Sequence, residues 1–212
     1  MPIGPAVRGL LGPRCELIAA DTYRRLFVDL DSLAARIDEM GPFATMIEVG
    51  CGEGALMTRL VARLGPRVRA LGIDIAAEPG RSFVGDRSRV GFRQATVADV
   101  AGEPDRFNLV VVSDVLHHVP RRERVPLLDS CRELLAPGGT IVVKEWVKRG
   151  NLAHAAAYGS DRYISGDTTV DFYTASELRQ AMRDAIGTET PMTESTVRPH
   201  RNNVVLIGQP TM

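Results

Sequence analysis

The sequence has few cysteines, few aromatic residues and no excess charge of either sign. Its three cysteines, Cys15, Cys51 and Cys131, show neither the CxxC spacing of a zinc site nor the pairs of a disulfide framework. Acidic and basic residues number 26 each, so the composition indicates no surface for nucleic acid or membrane. No apolar run reaches the ~18 residues of a membrane-spanning helix, and Pro, Gly and Arg interrupt the first 17 residues, where a signal peptide would be apolar. These absences favour a cytoplasmic protein.

What the sequence does contain is typical of one packed α/β domain. The 212 residues are 44% hydrophobic and 25% charged, which is near the globular average. Short apolar runs alternate with segments of helical period, which predicts strands at 45–50, 68–74, 90–95, 107–114, 140–146, 193–197 and 203–208 and helices at 21–40, 55–64, 122–135 and 174–186. We therefore expect a seven-stranded, mostly parallel sheet with helices on both faces, which binds ligands at the carboxyl ends of its parallel strands.

Two segments stand apart from this alternation. The polar stretch 147–173 is longer than an ordinary connection, and such loops usually carry function, so we interpret it as an insertion at an acceptor site. The predicted helix 21–40, within the N-terminal segment 1–40, has Tyr23 near its start. It either folds over a ligand as a lid or packs on the core through its apolar stripe.

The segment EVGCGEG, from Glu48 to Gly54, lies between the first predicted strand and the following helix. Gly50, Gly52 and Gly54 allow a sharp turn and a close approach of the backbone to a ligand. Glu48 would repel a pyrophosphate and attract a cation, so a ligand with an ammonium group fits better than a dinucleotide. Asp74, which ends the second predicted strand, is placed to accept hydrogen bonds from both hydroxyls of a ribose.

Four segments follow one another along the chain: MIEVGCGEG, LGID, FNLVVVSDVLHHVP and LLAPGGTIVVKEW. In these segments and in their order, the chain resembles the class I S-adenosylmethionine-dependent methyltransferases over about residues 45–146. The resemblance implies a Rossmann-like methyltransferase fold in a single domain over residues 1–212, with S-adenosylmethionine as cofactor. By position, it implies that the cofactor is bound by Glu48, Gly50, Cys51, Gly52, Gly54, Asp74, Ile75 and Ser113. The family's adenine-binding acid falls at Thr96, so either Thr96 and the Val97 amide hold the adenine with help from Asp99, or this loop is shifted.

A second constellation, Asp114-Val115-Leu116-His117-His118, begins where the fourth predicted strand ends. It is similar to the E-x-x-E-H metal-binding segment of ubiquinone-pathway O-methyltransferases and small-RNA terminal 2′-O-methyltransferases, with Asp and His in place of the two Glu. The resemblance implies a divalent ion, Mg²⁺ or Mn²⁺, bound by Asp114, His117 and His118 and assisted by Glu145. Such an ion lowers the pKa of an acceptor hydroxyl. The alternative is a metal-free site in which His117 is the general base.

Polar and aromatic residues of the insertion, and of the turn before the last strand, are candidates for acceptor binding. They are Trp146, His154, Tyr158, Tyr163, His200 and Asn202. If the sixth strand is parallel to its neighbours, its C-terminal turn brings residues 198–203 to the same edge of the sheet as the glycine loop.

The sequence after the fourth strand also bears on the acceptor atom. Family members that methylate amide or adenine nitrogens carry Asn/Asp-Pro-Pro-aromatic there, whereas this chain has Ser113-Asp114-Val115-Leu116, so an oxygen acceptor is favoured. Size and arginine-rich composition suggest a sugar hydroxyl, as in the actinobacterial sugar O-methyltransferases of methylmannose polysaccharide assembly. The alternatives are a natural-product or phenol O-methyltransferase, a terminal-ribose RNA methyltransferase, which the neutral charge disfavours, and an inactive methyltransferase-like scaffold. We expect a small-molecule or oligosaccharide acceptor and no membrane partner, and we leave a homodimer open.

Overall fold

The computed structural model describes residues 27–104, 106–150 and 170–210 of the chain. Its strands are β1 (Thr45–Val49), β2 (Arg69–Asp74), β3 (Val90–Gln94), β4 (Phe107–Ser113), β5 (Leu135–Trp146), β6 (Met192–Thr196) and β7 (Asn203–Gly208). They form one sheet in the order β3-β2-β1-β4-β5-β7-β6. Neighbouring strands from β3 to β5 pair in parallel, and β7 pairs antiparallel to β5 and β6. The prediction of a seven-stranded, mostly parallel sheet is confirmed.

Helices cover both faces of the sheet. They are α1 (Leu30–Asp38), α2 (Ala55–Leu64), α3 (Val97–Ala101), α4 (Arg121–Glu133) and α5 (Ala175–Ile186). Helices α1 and α2 pack on one face, and α3, α4 and α5 pack on the other. In β4, Leu109 and Val111 are buried on the face covered by α1 and α2, and Val110 and Val112 are buried on the opposite face, because successive side chains of a strand point to opposite faces. The longest described helix, α4, has 13 residues, and none of the described helices could cross a membrane.

The first helix is shorter than its apolar period predicts. The expected helix covers 21–40, but α1 begins nine residues later, and residues 21–26 lie outside the described part of the chain. Asp29 caps α1, and its Oδ1 accepts a hydrogen bond from the amide three residues ahead at 3.0 Å. Val28 forms a β-bridge with Pro199 instead of extending the helix. Because α1 packs against α2 and the sheet, its described residues form part of the core, and Tyr23 lies outside the described residues.

The register of the parallel strands brings their carboxyl ends to one edge. Val49 pairs with Ile73 on one side and Val112 on the other, and Val112 pairs in turn with Val143. The strand order reverses between β1 and β4, and such a reversal opens a crevice at the carboxyl edge where ligands bind. The loops after β1, β2, β3 and β4 therefore meet at this crevice.

The last two strands bring the turn between them to the same edge. Because β7 is antiparallel, it starts where β5 ends, and Asn203 pairs with Trp146. β6 is antiparallel to β7 and so runs in the direction of β5. The prediction that residues 198–203 reach the edge of the glycine loop is confirmed.

Candidate active site

A cavity of about 730 Å³ lies at this crevice, within the size range of small-molecule sites. Its walls come from the loops after β1, β2, β3 and β4 and from one face of α4. The predicted cofactor and catalytic residues that line it are Gly50, Gly52, Asp74, Ile75, Thr96, Val97, Asp114 and His118. The predicted residues outside its lining are Glu48, Cys51, Gly54, Asp99, Ser113, His117 and Glu145.

The glycine loop after β1 forms one wall of the cavity. Gly50 has a φ of +72°, and a Cβ there would lie 2.3 Å from Val115 Cγ2, so a larger residue would clash with the loop after β4. Gly52 has a φ of +50°, and a Cβ there would meet no atom within 4 Å, so its backbone faces open space. Its N–H donates to Asp74 Oδ2 at 2.7 Å. This hydrogen bond joins the glycine loop to the carboxylate at the end of β2.

Asp74 and Ile75 offer contacts of two kinds. The Ala76 amide donates to Asp74 Oδ1 at 2.8 Å. Each carboxylate oxygen has two lone pairs, so both oxygens of Asp74 can still accept a hydroxyl. Ile75 is 76% exposed and lines the cavity, so it presents an apolar surface beside that carboxylate. A polar group next to an apolar surface suits a nucleoside.

Glu48 lies beneath the glycine loop and not in the cavity. It is 3% exposed, and its Oε2 has no hydrogen-bond partner among the described residues. Burial, with the charge of Asp74, raises the pKa of Glu48 to about 8 from an ordinary value of 4.5. Burial and these carboxylates also raise the pKa of the Cys51 thiol above its ordinary value, so it is a poor nucleophile.

Two other predicted cofactor residues lie at the boundaries of elements: Gly54 is the N-cap of α2, and Ser113 ends β4.

The loop expected at the adenine is organised by a capping box. Thr96 is the N-cap of α3, and Asp99 Oδ2 accepts hydrogen bonds from Thr96 N at 2.8 Å and from Thr96 Oγ1 at 2.7 Å. These bonds lower the pKa of Asp99. Asp99 therefore positions Thr96, which is consistent with the expectation that Asp99 assists Thr96 and Val97 at the adenine. Thr96 and Val97 line the cavity themselves.

Asp114 forms a partly buried ion pair with Lys144. Its φ is +56°, a backbone conformation that Asp tolerates better than most residues. Lys144 Nζ donates to Oδ1 at 2.7 Å and to Oδ2 at 2.6 Å. The lysine side chain is 2% exposed, and that of Asp114 is 33% exposed. Sequence analysis missed this pairing because it depends on the register between β4 and β5.

His117 and Glu145 form a buried pair beside the cavity. His117 Nδ1 lies 2.8 Å from Glu145 Oε2, and the two side chains are 6% and 2% exposed. Glu145 Oε1 accepts hydrogen bonds from the amides of Val115 and Leu116 at 2.8 and 2.6 Å. A carboxylate held in this way orients the imidazole and favours a proton on Nδ1, so the lone pair of the neutral ring lies on Nε2.

The two histidines have different surroundings. The His117 ring packs against the rings of His118 and Phe172, whose centroids are 4.1 and 4.9 Å away. His118 is exposed and lines the cavity. Among the described residues, Asp114, His117 and Glu145 offer ligand atoms within 4.8 Å of one another, a spacing that could hold a metal. This group differs from the predicted metal set, because it includes Glu145 and does not include His118.

Two predicted acceptor-binding residues are structural. The Trp146 ring is 4% exposed and meets the rings of Phe27 and His200 edge-on, at 6.1 and 5.5 Å. Asn202 is fully buried and donates through Nδ2 to the Val147 carbonyl at 3.0 Å. These contacts correct the prediction that Trp146 and Asn202 bind the acceptor, whereas His200 is half-buried at the same edge. The remaining candidates fall outside the described residues: His154, Tyr158 and Tyr163.

Sequence analysis also missed the contribution of α4 to the cavity. Glu123, Pro126, Leu127 and Ser130 line it, and their spacing of three, four and seven residues places them on one helix face. The spacing is visible in the sequence. However, nothing in the pattern distinguishes a face that meets a ligand from one that meets solvent.

Arg124 connects the histidine segment with the last residues of the insertion. It is 1% exposed, and it donates from Nε to the Val119 carbonyl at 2.8 Å and from Nη2 to the Asp171 carbonyl at 2.6 Å. The Asp171 amide donates in turn to the His117 carbonyl at 3.0 Å. The guanidinium also lies 4.4 Å from the ring centroid of Tyr173. These contacts hold the backbone around His117 in place.

Known proteins resemble this chain in sequence and in fold. A family model described as a methyltransferase domain matches residues 19–185. The chain is 33% identical over 185 residues to a ubiquinone biosynthesis O-methyltransferase of Xanthomonas campestris pv. campestris, which covers 82% of this chain and 72% of that protein. An O-methyltransferase family protein from Burkholderia thailandensis has a TM-score of 0.69 at 19% identity, over 84% of this chain and 55% of that one. Human N-acetylserotonin methyltransferase in complex with SAM has a TM-score of 0.64 at 18% identity, over 86% of this chain and 51% of that one.

These likenesses carry different weight. This chain spans little more than half of each of the two solved structures, and at such low identity they support the fold alone. The family model covers most of the chain, and the Xanthomonas protein is related over four fifths of it. With the sheet order and the glycine loop beside Asp74, these matches show that the chain belongs to the class I S-adenosylmethionine-dependent methyltransferases.

Proposed function

We propose that this enzyme transfers a methyl group from S-adenosylmethionine to the oxygen of a phenolic hydroxyl on a small acceptor. The observation that carries the proposal is the 2.8 Å hydrogen bond between His117 and Glu145, which orients a base next to the cavity. An oxygen acceptor is further supported by the Xanthomonas relative, which is named as an O-methyltransferase of ubiquinone biosynthesis. The chain has no net charge that would favour an RNA acceptor.

The crevice residues fit the cofactor. In this proposal Asp74 accepts hydrogen bonds from the ribose hydroxyls, and the exposed Ile75 side chain packs on the adenine. Thr96 and Val97 border the adenine, and Gly52 leaves room for the cofactor to approach the backbone. S-adenosylmethionine, when bound, supplies an electrophilic methyl group on a sulfonium centre.

The catalytic task of the protein is to remove the acceptor proton and to align the acceptor oxygen. Methyl transfer is an in-line displacement in which a lone pair of the acceptor oxygen forms the new C–O bond while the electrons of the C–S bond move to sulfur. In our proposal His117 takes the acceptor proton on Nε2, and Glu145 stabilises the resulting imidazolium through Nδ1. His118, on the cavity wall, limits where the acceptor ring can lie.

An imidazole base favours a phenol over a sugar hydroxyl. An ordinary imidazole has a pKa of about 6.5 and a phenol one of about 10. An aliphatic hydroxyl is closer to water, whose pKa is about 15.7. Proton transfer in the transition state is more effective when these values are near each other, so histidine matches a phenol better. The sugar acceptor suggested by composition has no support from the relatives.

Transfer of labelled methyl groups tests the proposal. Purified enzyme and S-adenosylmethionine are incubated with catechol-type phenols, partly methylated oligosaccharides or short RNA. We expect labelled phenols, and we expect His117→Gln to lower kcat by about 10²- to 10⁴-fold, the usual contribution of a general base. His118→Gln is the matched variant and should have a smaller effect. Labelling of sugars or RNA alone would contradict the proposed phenolic acceptor. An unchanged kcat in His117→Gln would exclude His117 as the base.

A further inference from the structure

The acidic cluster beside the cavity has the composition of a metal site. Asp114, His117 and Glu145 offer two carboxylates and one imidazole, with ligand atoms within 4.8 Å of one another. Divalent ions such as Mn²⁺ bind to sets of this kind. Whether an ion fits depends on what these atoms already contact in the protein.

Each carboxylate oxygen of the cluster already accepts a hydrogen bond from the protein. Glu145 Oε1 accepts from two backbone amides, and Oε2 faces His117 Nδ1. Both oxygens of Asp114 accept from Lys144 Nζ, at 2.7 and 2.6 Å. The ammonium therefore occupies the bidentate position that a metal would take on Asp114. Its positive charge would also repel a divalent ion on the remaining lone pairs, so the donor set as it stands does not fit such an ion.

Lys144 is held where it is by the sheet. β4 and β5 pair with Ser113 opposite Lys144, and the Asp114 amide donates to the Lys144 carbonyl at 2.9 Å. The lysine side chain is 2% exposed, so it cannot turn to solvent without breaking the packing around it. If a metal ion took Asp114, the buried Lys144 ammonium would be left without its counter-charge. The free-energy cost of that buried charge opposes displacement of the lysine by an ion.

We infer that the Lys144 ammonium is the resident cation of this cluster and takes the place of a divalent metal. Its positive charge offsets one of the two carboxylates and holds Asp114 at the cavity wall, so Lys144 acts as a positioning residue. This inference rests on the same site as the proposed function. However, it concerns only the cation, and it can fail while methyl transfer to a phenol stands.

The test is a titration with Mn²⁺ alone, without cofactor or acceptor, followed by the electron paramagnetic resonance signal of free Mn²⁺. The wild-type protein should bind no more Mn²⁺ than Asp114→Asn does. Lys144→Ala should gain one Mn²⁺ site per chain, and adding Asp114→Asn to it should remove that site. Lys148→Ala is the matched control, because it removes the only other lysine of the sequence, and it should gain no site.

Two results would overturn the inference. One is stoichiometric Mn²⁺ binding by the wild-type protein that Asp114→Asn abolishes, and this arm decides the matter even if Lys144→Ala does not fold. The other is a folded Lys144→Ala protein, with a cooperative thermal transition, that binds no Mn²⁺.

Discussion

His117, in the segment that follows β4, faces Glu145, near the end of β5, with Nδ1 of the imidazole 2.8 Å from Oε2 of the carboxylate. Glu145 is also held by two backbone amides of the segment that carries His117. The carboxylate therefore sets the position of the histidine segment and the orientation of its ring at once. This relationship leads to the first prediction.

Glu145→Gln should lower kcat for a phenolic acceptor about 100-fold and change its KM little. The amide keeps the shape of the side chain but cannot stabilise an imidazolium, so the loss falls on the step in which the proton moves. Steady-state kinetics over a range of pH measure this effect. Glu133→Gln, on the exposed side of α4, is the control. An unchanged kcat in Glu145→Gln would show that the pair is only structural.

Asp74→Ala should weaken binding of S-adenosylmethionine by roughly 1 to 3 kcal/mol, the scale of hydrogen bonds to a charged group. The substitution also removes the acceptor for the Gly52 amide, so the glycine loop loses its connection to β2. Isothermal titration calorimetry measures the affinity, and Asp86→Ala, at an exposed site, serves as the control. Equal affinities of Asp74→Ala and the wild-type protein for S-adenosylmethionine would mean that the ribose is not bound by Asp74.

Glu48→Gln should make stability less dependent on pH. The folded pKa of Glu48 is about 8, above its ordinary 4.5, so the wild-type carboxyl contributes stability that is complete below about 4.5 and is lost as pH rises through 8. The variant has no such loss. Its free energy of unfolding relative to wild type should therefore rise between pH 4.5 and pH 8 by up to about 1.4 kcal/mol per pH unit. Urea unfolding at several pH values measures the difference. A difference that stays constant with pH would contradict the raised pKa.

Arg124→Met should destabilise the fold by about 3 kcal/mol, because it leaves the carbonyls of Val119 and Asp171 without a buried donor. Urea unfolding measures this loss. Arg122→Met, whose side chain is 86% exposed in the wild type, should change stability by less than about 0.5 kcal/mol. Similar stability of the two variants would show that the Arg124 contacts contribute little.

Much of the fold and the cofactor side of the site was predictable because it depends on local pattern. Strands buried on both faces are continuous apolar runs, as in 109–112. Closely spaced glycines, such as those at 50 and 52, are typical of a turn in any fold. The helix prediction 21–40 failed at residues 27–29, because Val28 forms a β-bridge with Pro199 instead of a helical turn. Periodicity cannot register a partner that is 171 residues away in the chain.

The sequence by itself determined that this chain is an α/β methyltransferase with a glycine loop, a carboxylate after the second strand and a His-His segment after the fourth. Only the tertiary structure decided what those groups do to one another. It placed Lys144 on Asp114 and Glu145 on His117, and it buried Trp146 and Asn202. The physical reason is that period and spacing arise within one segment, whereas ion pairs and burial arise between segments that the sheet brings together.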